Sequence, residues 1–367
     1  MKNSVIITSA IRTAVGSLGK TLKNVESSEL GAAVIKDLID KSKLSKQEVD
    51  EIILGQVLTA GLGQNPARQA AIKAGIPKEK PAYVVNQVCG SGIRSVVSGY
   101  QSLSSGNSKV VIAGGQENMS LAPHAIHLRD GKKLGDAKLI DTMIKDGLWD
   151  AFHGYHMGIT AENVASKFQV TREQQDKFAL SSQEKALKAQ KENKFKEEII
   201  NFQIKSKKAQ IDFKKDEHPR EGINLEALKR LKPVFKKDGT VTAGNASGIN
   251  DGAAAVTMMS SLDAEKKGLK KLVTIKSWAS CGVDPALMGT GPIPSSKKAL
   301  DLAGWSVKDL DLLEVNEAFA AQSIAVLKTL GVPEEKVNVN GGAIAIGHPI
   351  GASGTRILVT LIHEMIK

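Results

Sequence analysis

The chain repeats part of itself, and this repetition constrains its fold more than any other feature of its 367 residues. The order of charged and apolar residues in LSKQEVDEIILGQV, at residues 44–57, returns in SVKDLDLLEVNEA at 306–318. AGIP at 74–77 returns as LGVP at 330–333, and the number of residues between these two copies is similar to that between the first two. Such an offset indicates a duplicated unit of strands alternating with helices. We therefore expect two related α/β halves that pack one parallel-rich sheet against another, with ligand chemistry at the carboxyl ends of strands.

Cys89 lies where a strand pattern changes to a helix pattern. Tyr83, Val84 and Val85 suit a buried strand, and from Ile93 the apolar residues recur at helical spacing, which places Cys89 at a helix N-terminus. Backbone amides and the helix dipole favour an anion there, so we expect the thiol pKa to fall below about 8.5 and to yield a nucleophilic thiolate. The alternative is a small buried hydrophobe, as most free cysteines are.

His348 is the single histidine in NGGAIAIGHPIGASG, at residues 340–354. Residues with little or no side chain let backbone segments approach closely, so a crowded loop presents this imidazole instead of a packed core. An imidazole whose pKa lies near the working pH suits a general base. The residues that follow the two loops also repeat: Ser91, Gly92 and Arg94 recur as Ser353, Gly354 and Arg356. The sequence therefore predicts that Cys89 and His348 face one cleft.

Five segments carry a resemblance to a known family. They are VNQVCGSGIRS around Cys89, HMGITAEN from His156, GNASGINDGAAA from Gly244, NEAFAAQ from Asn316 and GGAIAIGHPIGASG around His348. Together they resemble the motifs of the thiolases, specifically the biosynthetic acetyl-CoA acetyltransferases, from the first strand to the last helix. The resemblance implies an α/β, thiolase-like fold with an inserted loop domain. It also implies reversible condensation of two acetyl-CoA to acetoacetyl-CoA and coenzyme A, with no permanently bound cofactor.

The same resemblance implies roles for single residues. Cys89 would carry the acyl group and donate its amide to the oxyanion, and His348 would be its base. Asn316 would orient a water at the enolate oxygen, and a helix cap is its alternative role. Ala227 stands where the family has serine, and the lost hydrogen bond should weaken coenzyme A binding by about 1 kcal/mol. The residues that would contact coenzyme A or line its pantetheine channel are Leu148, His156, Met157, Arg220, Phe235, Ala243, Ser247, Met288, Ala318 and Phe319.

The two copies and the segment between them predict three parts. These are an N-terminal half at 1–118, a loop domain covering coenzyme A at 119–250, and a C-terminal half at 251–367. Good helix formers with alanine and leucine at helical spacing predict a helix at 173–191 within the loop domain.

The positive charge of the chain is concentrated in the predicted loop domain. The net charge is +11, and residues 185–237 contain 16 Lys and Arg against 8 Asp and Glu. Basic surfaces bind nucleic acid, membranes or anionic cofactors. Sparse aromatic residues argue against nucleic acid, and the phosphates of coenzyme A supply a suitable anion. The alternative is a lysine-rich face that only contacts solvent.

The thiolases remove the α-proton of the second acetyl group with a second cysteine on a loop between two last strands. This sequence ends at Lys367 before such a loop, and copy two lacks a closing strand like residues 110–113 of copy one. Cys281 is not on a matching motif, so we expect a structural role for it. Two hypotheses stay open: a transferase whose activity belongs to a longer form, and an impaired acyl-CoA-binding paralogue that loads Cys89 but condenses poorly.

Composition predicts the cellular location, the membrane contact and the oligomeric state of the protein. Two cysteines far apart, without a secretory signal, indicate a reducing cytoplasm. No apolar stretch approaches the roughly 20 residues that cross a bilayer, so we expect no membrane contact. An unpaired sheet edge favours pairing between copies, so we expect a homo-oligomer, a dimer or a tetramer.

Two further patterns are set aside. AVGSLGKT at 14–21 nearly matches a phosphate-binding loop, but the helix signal begins only at Ser27, whereas a true loop of that kind has its Lys-Thr at the helix start. Two histidine pairs have helix-neighbour spacing but lack a cluster of ligand residues, so we expect no metal site; they are His124 with His127 and His153 with His156.

Overall fold

The computed structural model describes residues 4–42, 44–205 and 210–367. Met1–Asn3 lie outside these ranges. The strands are β1 (Val5–Arg12), β2 (Gly16–Ser17), β3 (Glu51–Gly55), β4 (Ala82–Val85), β5 (Val110–Asn118), β6 (His124–Ala125), β7 (Ile140–Asp141), β8 (Trp149–Asp150), β9 (Tyr155–His156), β10 (Phe202–Lys205), β11 (Gln210–Phe213), β12 (Asn250–Ser260) and β13 (Val273–Thr274).

The α-helices are α1 (Ser27–Ser42), α2 (Pro66–Lys73), α3 (Ser91–Ser104), α4 (Met157–Lys167), α5 (Arg172–Lys191), α6 (Leu225–Lys229), α7 (Ser261–Lys266), α8 (Pro292–Ala303), α9 (Ala320–Leu330), α10 (Ala343–Ile346) and α11 (Ser353–Ile366). Short 3-10 turns occur at Lys46–Glu48, Pro285–Thr290, Val307–Asp309 and Glu334–Lys336, and a π-turn at Met143–Leu148. The predicted helix at 173–191 is confirmed as α5, and the helix start predicted at Ser27 is confirmed as the start of α1.

A mixed sheet forms the centre of the molecule, in the order β13-β1-β12-β5-β3-β4, with β2 paired to β12. β12 runs antiparallel to β1 and β5, whereas β5, β3 and β4 run parallel to one another. Successive side chains of a strand point to opposite faces, so the central strands contribute to two apolar clusters. One cluster packs against α1 and α2, and the other against α3 and α11. The core is therefore a sheet between two helix layers.

The strand predicted before Cys89 is confirmed as β4, but it is not buried. β4 lies at the edge of the sheet, and Tyr83 is 37% exposed. Its run of apolar residues is also typical of a central strand, because sequence pattern alone does not show how many neighbouring strands a strand has.

The second half does not build the related sheet that the repeat predicts, as far as the described residues show. Its counterpart of the β3–β4 pair is a single parallel bridge between Leu313 and Val337. β13 instead joins the first sheet beside β1. The helices reflect the difference: α1 buries one face against β1, β5 and β12, whereas no residue of the corresponding α8 is buried. An amphipathic helix buries its apolar face only where another element packs against that face.

The inserted segment is tied to the central sheet by one buried cation. Arg12, at the end of β1, donates to Glu198 at 2.7 Å and to both carboxylate oxygens of Asp216 at 2.7 and 3.0 Å. Thr360 of α11 also donates to Glu198, at 3.1 Å. β12 meanwhile pairs with β1 and β5, so residues on both sides of the predicted boundary at 250 and 251 share a sheet. The three-part division stays a prediction.

Candidate active site

A tight turn between β4 and α3 presents Cys89. Val88 has a φ of 47°, a left-handed conformation that is strained for a β-branched residue. The Ser91 hydroxyl stabilises this turn, because it donates to the Val88 carbonyl at 2.6 Å and accepts the Gln87 amide proton at 2.8 Å. Cys89 is half-buried and lies two residues before α3 begins. The prediction that it precedes a helix N-terminus is confirmed.

Buried polar side chains hold the loop that carries His348. Gly347 has a φ of 112°, and a Cβ there would lie 2.5 Å from the Asn250 side chain, so glycine is required. Asn250 Oδ1 accepts the His348 amide proton at 2.9 Å, and Glu117 Oε2 accepts that of Gly351 at 3.0 Å. His348 is only 5% exposed. The crowded loop predicted from the small residues is therefore observed.

The two loops meet where β3 and β5 end. Gly55 closes β3, and a Cβ there would lie 2.7 Å from the carbonyl oxygen of Gly351 and 2.5 Å from the backbone of Ser91. A side chain at Gly55 would push the nucleophile turn and the histidine loop apart. The expectation that ligand chemistry lies at the carboxyl ends of strands thus agrees with where the two loops are.

Three side chains predicted to act together are in contact. Cys89 Sγ lies 3.2 Å from His348 Nε2, and Asn316 Nδ2 lies 3.3 Å from the same nitrogen. Asn316 Oδ1 is buried and has no hydrogen-bond partner within the described chain. The alternative role of Asn316 as a helix cap is wrong, because α9 begins at Ala320 and Phe319 occupies its N-cap position. This arrangement places a nucleophile, a base and an amide around one point.

Burial determines the protonation state of the pair. It raises the pKa of the Cys89 thiol to about 11, and the nearby Glu117 carboxylate adds to the effect. It lowers the pKa of His348 to about 3, and the positive charge of Arg356 adds to that effect. The expectations of a lowered thiol pKa and of an imidazole that titrates near the working pH are therefore wrong. Desolvation outweighs the helix N-terminus, so the pair rests as thiol and neutral imidazole.

Most residues predicted to line the pantetheine channel lie together beside α4. The His156 ring stacks on Phe235 with 4.6 Å between ring centroids. The Ser247 amide donates to the Ala318 carbonyl at 2.9 Å. The apolar cluster at this place contains four of the predicted residues: Met157, Phe235, Ala318 and Phe319.

The other predicted binding residues are more scattered. Leu148 packs against the same buried apolar cluster as Cys89. Met288 lies in the turn Pro285–Thr290, which packs against α4. Arg220 and Ala243 are exposed, and the described contacts do not link them to the cluster beside α4. All these binding roles stay predictions.

The residues of the patterns set aside in the sequence make other contacts. Thr21 donates its hydroxyl proton to Glu217, and α1 begins six residues later, so residues 14–21 do not lead directly into a helix. His153 Nδ1 lies 2.7 Å from Asp150. Across residues 4–42, 44–205 and 210–367, no group of three or more His, Cys, Asp or Glu side chains is placed to hold a metal ion. Over the same ranges, no helix combines the length and apolarity that a membrane crossing needs.

Some functional residues were not singled out by the sequence. Asn250 holds the His348 backbone, and Ser353 Oγ lies 2.5 Å from His348 Nδ1. Glu317 is buried and accepts protons from Ser182 at 2.7 Å and Asn338 at 2.7 Å, which fixes the segment after Asn316. Asn250, Glu317 and Ser353 all lie inside the five recognised segments, so those segments contain the missing signal. Glu117 has no such sequence signal, because a single carboxylate at the end of a strand forms no distinctive pattern.

Comparison with known proteins agrees with this geometry. The family described as "Thiolase, N-terminal domain" matches residues 5–262, and "Thiolase, C-terminal domain" matches 269–367. An acetyl-CoA acetyltransferase of Rhizobium meliloti is 59% identical over 362 residues, which are 99% of this chain and 92% of the relative. A cytosolic acetyl-CoA acetyltransferase of Mus musculus is 54% identical over 363 residues, covering 98% of this chain and 91% of the relative.

A solved structure confirms the fold class. The crystal structure of the Bacillus anthracis acetyl-CoA acetyltransferase matches with a TM-score of 0.97 and 44% sequence identity. The match covers 99% of this chain and 92% of that chain. The predicted α/β, thiolase-like fold is therefore confirmed.

Proposed function

The chain belongs to the thiolase family, and from this premise we propose that it is an acetyl-CoA C-acetyltransferase. It condenses two acetyl-CoA to acetoacetyl-CoA and coenzyme A in a reversible reaction. The single observation that carries the proposal is the 3.2 Å contact between Cys89 Sγ and His348 Nε2. A nucleophile and a base at this distance are what acyl transfer through a covalent intermediate requires.

The first half-reaction transfers an acetyl group to Cys89. The sulfur attacks the thioester carbonyl, its bond to the carbonyl carbon forms, and the bond from that carbon to the sulfur of coenzyme A breaks. The thiol proton passes to His348 Nε2 and then to the departing coenzyme A thiolate. The Cys89 amide donates to the developing oxyanion. Because the resting pair is neutral, the proton moves only as the sulfur attacks, and no buried charge is held in advance.

The second half-reaction forms the carbon–carbon bond. In the thiolases a second cysteine takes the α-proton of the second acetyl-CoA, and a water that Asn316 orients stabilises the enolate oxygen. The enolate carbon attacks the acetyl group, its bond to that carbon forms as the bond to Cys89 breaks, and the departing Cys89 thiolate recovers a proton equivalent to the one taken from the α-carbon. Within the described chain Cys281 makes no hydrogen bond to Cys89 or His348, and its structural role stays a prediction. Condensation is therefore the step that distinguishes the full transferase from a paralogue that loads Cys89 but condenses poorly.

The cluster beside α4 suits the pantetheine arm of the substrate. An apolar lining with a few polar groups is typical of sites for small molecules. Met157, Phe235 and Phe319 supply the apolar surface, and His156 supplies a polar edge. Coenzyme A thioesters enter this scheme as substrates. Assembly of several copies and a cytoplasmic location stay predictions.

Incubation with radiolabelled acetyl-CoA tests the proposal. We expect intact-mass and peptide analysis to find an acetyl group on Cys89, and chromatography to find acetoacetyl-CoA formed at an ordinary enzymatic rate of about 10 per second. Acetylated Cys89 without acetoacetyl-CoA would favour the impaired paralogue. Absence of both products would contradict the proposal.

Acetylation of Cys89 should keep at pH 5.5 most of the rate that it has at pH 7.5. The pKa of His348 is lowered to about 3, so the imidazole stays neutral and able to accept a proton across this range. An ordinary imidazole with a pKa of about 6.5 would be about 90% protonated at the lower pH. The measurement is single-turnover release of coenzyme A at saturating acetyl-CoA. A tenfold lower rate at pH 5.5 would show that the imidazole titrates normally.

Gly158→Ala should raise the KM for acetyl-CoA about tenfold, the equivalent of about 1.4 kcal/mol. A Cβ at Gly158 would overlap the ring of Phe235, which stacks on His156, so the ring must shift within the proposed channel. Steady-state kinetics measure the effect, and alkylation of Cys89 should be unchanged. Gly282→Ala is the matched control, because a Cβ there meets no atom within 4 Å. Equal KM values for the two variants would contradict this location of the channel.

A further inference from the structure

We infer that Ser353 fixes the tautomer and orientation of His348 and so makes Nε2 the proton acceptor for Cys89. Its consequence for catalysis rests on the proposed function. The tautomer itself is a property of the free protein and can be measured without any turnover.

The contacts at Nδ1 determine where the ring proton lies. Ser353 Oγ lies 2.5 Å from His348 Nδ1 and 2.9 Å from the carbonyl oxygen of Pro349. A carbonyl oxygen only accepts, so the hydroxyl donates to Pro349, as serines in helices commonly do to the carbonyl four residues before. The lone pairs of Oγ then face Nδ1. Nδ1 must carry the imidazole proton for this short contact to be a hydrogen bond.

The tautomer that Ser353 selects also satisfies the contacts at Nε2. The amide nitrogen of Asn316, at 3.3 Å, can only donate. The thiol of Cys89, at 3.2 Å, is protonated in the resting protein and needs an acceptor. A proton on Nε2 would face both of these donors. An unprotonated Nε2 instead accepts from them, which is the state that a general base for Cys89 needs.

Ser353 is placed to hold the ring firmly. It is fully buried and is the first residue of α11, and its amide also donates to Pro349 at 2.9 Å. The loop before it is fixed by the bonds from His348 to Asn250 and from Gly351 to Glu117. A side chain whose surroundings are this constrained can orient a functional group through one hydrogen bond.

The internal repeat gives Ser353 a counterpart. Ser91 is the first residue of α3, as Ser353 is of α11, and its hydroxyl donates to the carbonyl of Val88 at 2.6 Å. The serine at this position of the repeat therefore stabilises the nucleophile turn in the first half, and it orients the base in the second half.

This arrangement also fits the later steps. When Nε2 takes the thiol proton, the ring becomes an imidazolium, and Ser353 Oγ accepts from Nδ1 as the ring gains charge. Nε2 then passes that proton to the departing coenzyme A thiolate, which returns the ring to the neutral state protonated at Nδ1. Ser353 touches no reacting atom, so it is a positioning residue.

Nitrogen NMR of protein labelled with ¹⁵N at histidine tests the inference in the substrate-free state. We expect His348, identified by its absence in His348→Gln, to show a protonated Nδ1 and an unprotonated Nε2 near pH 7. Ser353→Ala should lose this pattern, and Ser353→Thr should retain it. A protonated Nε2 in the unchanged protein would overturn the inference whatever the activity is. So would a Ser353→Ala spectrum identical to that of the unchanged protein.

Kinetics supply the second readout. Ser353→Ala should lower kcat about 10- to 100-fold, by analogy with the loss on removing groups that orient metal-bound histidines, with KM for acetyl-CoA changed little. Thr360→Val is the matched control, since it removes one buried hydroxyl from α11 that bonds to Glu198 and not to His348. Equal loss of kcat in both variants would mean that α11 is merely destabilised and would overturn the inference. If the chain forms no acetoacetyl-CoA, the proposed function fails, while the NMR result still decides the role of Ser353.

Discussion

Replacement of Cys89 by alanine is expected to lower kcat/KM for acetyl-CoA at least about 10⁴-fold, equivalent to about 5.4 kcal/mol of lost transition-state stabilisation. The sulfur is the atom that bonds to the acetyl group, and its proton is the one that His348 accepts at 3.2 Å. Alanine should leave the turn intact, because the bonds from Ser91 to Val88 and Gln87 use no side-chain atom of Cys89. Coenzyme A release and the acetylated mass of the protein measure the loss.

Cys281→Ser is the matched control for this experiment. Both cysteines are half-buried, but only Cys89 contacts His348 within the described chain. We expect the control to keep its activity within about twofold, and we expect Cys89→Ala to bind coenzyme A as tightly as the unchanged protein, because the pantetheine cluster lies on other residues. Residual activity above about 1% in Cys89→Ala would mean that acyl transfer does not pass through this sulfur.

The pairing of Cys89 with His348 could be predicted because both lie in equivalent loops of a repeat. Equivalent loops of two α/β units meet at the same end of their strands, and the small residues around both loops allow the close approach that Gly55 and Gly347 show. The elements beside them, α3 and α5, follow from local apolar spacing. The predictions of α3 and α5 are correct because each depends only on a short stretch of sequence.

The protonation state of the pair could not be predicted in this way. The helix N-terminus beside Cys89 is a local feature, but the desolvation that outweighs it is produced by packing among distant segments. Glu117 comes from β5, and its carboxylate accepts the amide protons of Val57 and Gly351, which joins this strand to two separate loops. The prediction of a second sheet is wrong for a related reason. The local pattern at Leu313 suits a strand, yet a strand forms a sheet only where partner strands are present.

The buried ion cluster around Arg12 is the other feature that only the tertiary structure reveals. Its carboxylates, Glu198 and Asp216, lie 186 and 204 residues further along the chain, within the inserted segment. Asp216 also accepts the amide proton of Val15 at 2.7 Å, and Thr360 donates to Glu198. One guanidinium therefore joins β1, the insertion and α11. Loss of this connection would loosen the segment that carries the proposed coenzyme A contacts.

Arg12→Met is therefore expected to lower the free energy of unfolding by about 3–5 kcal/mol, because it leaves two buried carboxylates without their cation. The midpoint of urea unfolding, followed by circular dichroism, measures the loss. The triple variant Arg12→Met, Glu198→Gln, Asp216→Asn should recover part of it, since neutral amides cost less to bury than unpaired charges. Lys73→Met, which breaks an exposed ion pair, should change stability by less than about 1 kcal/mol. If the triple variant were as unstable as Arg12→Met, lost packing of the long side chain and not uncompensated charge would explain the effect.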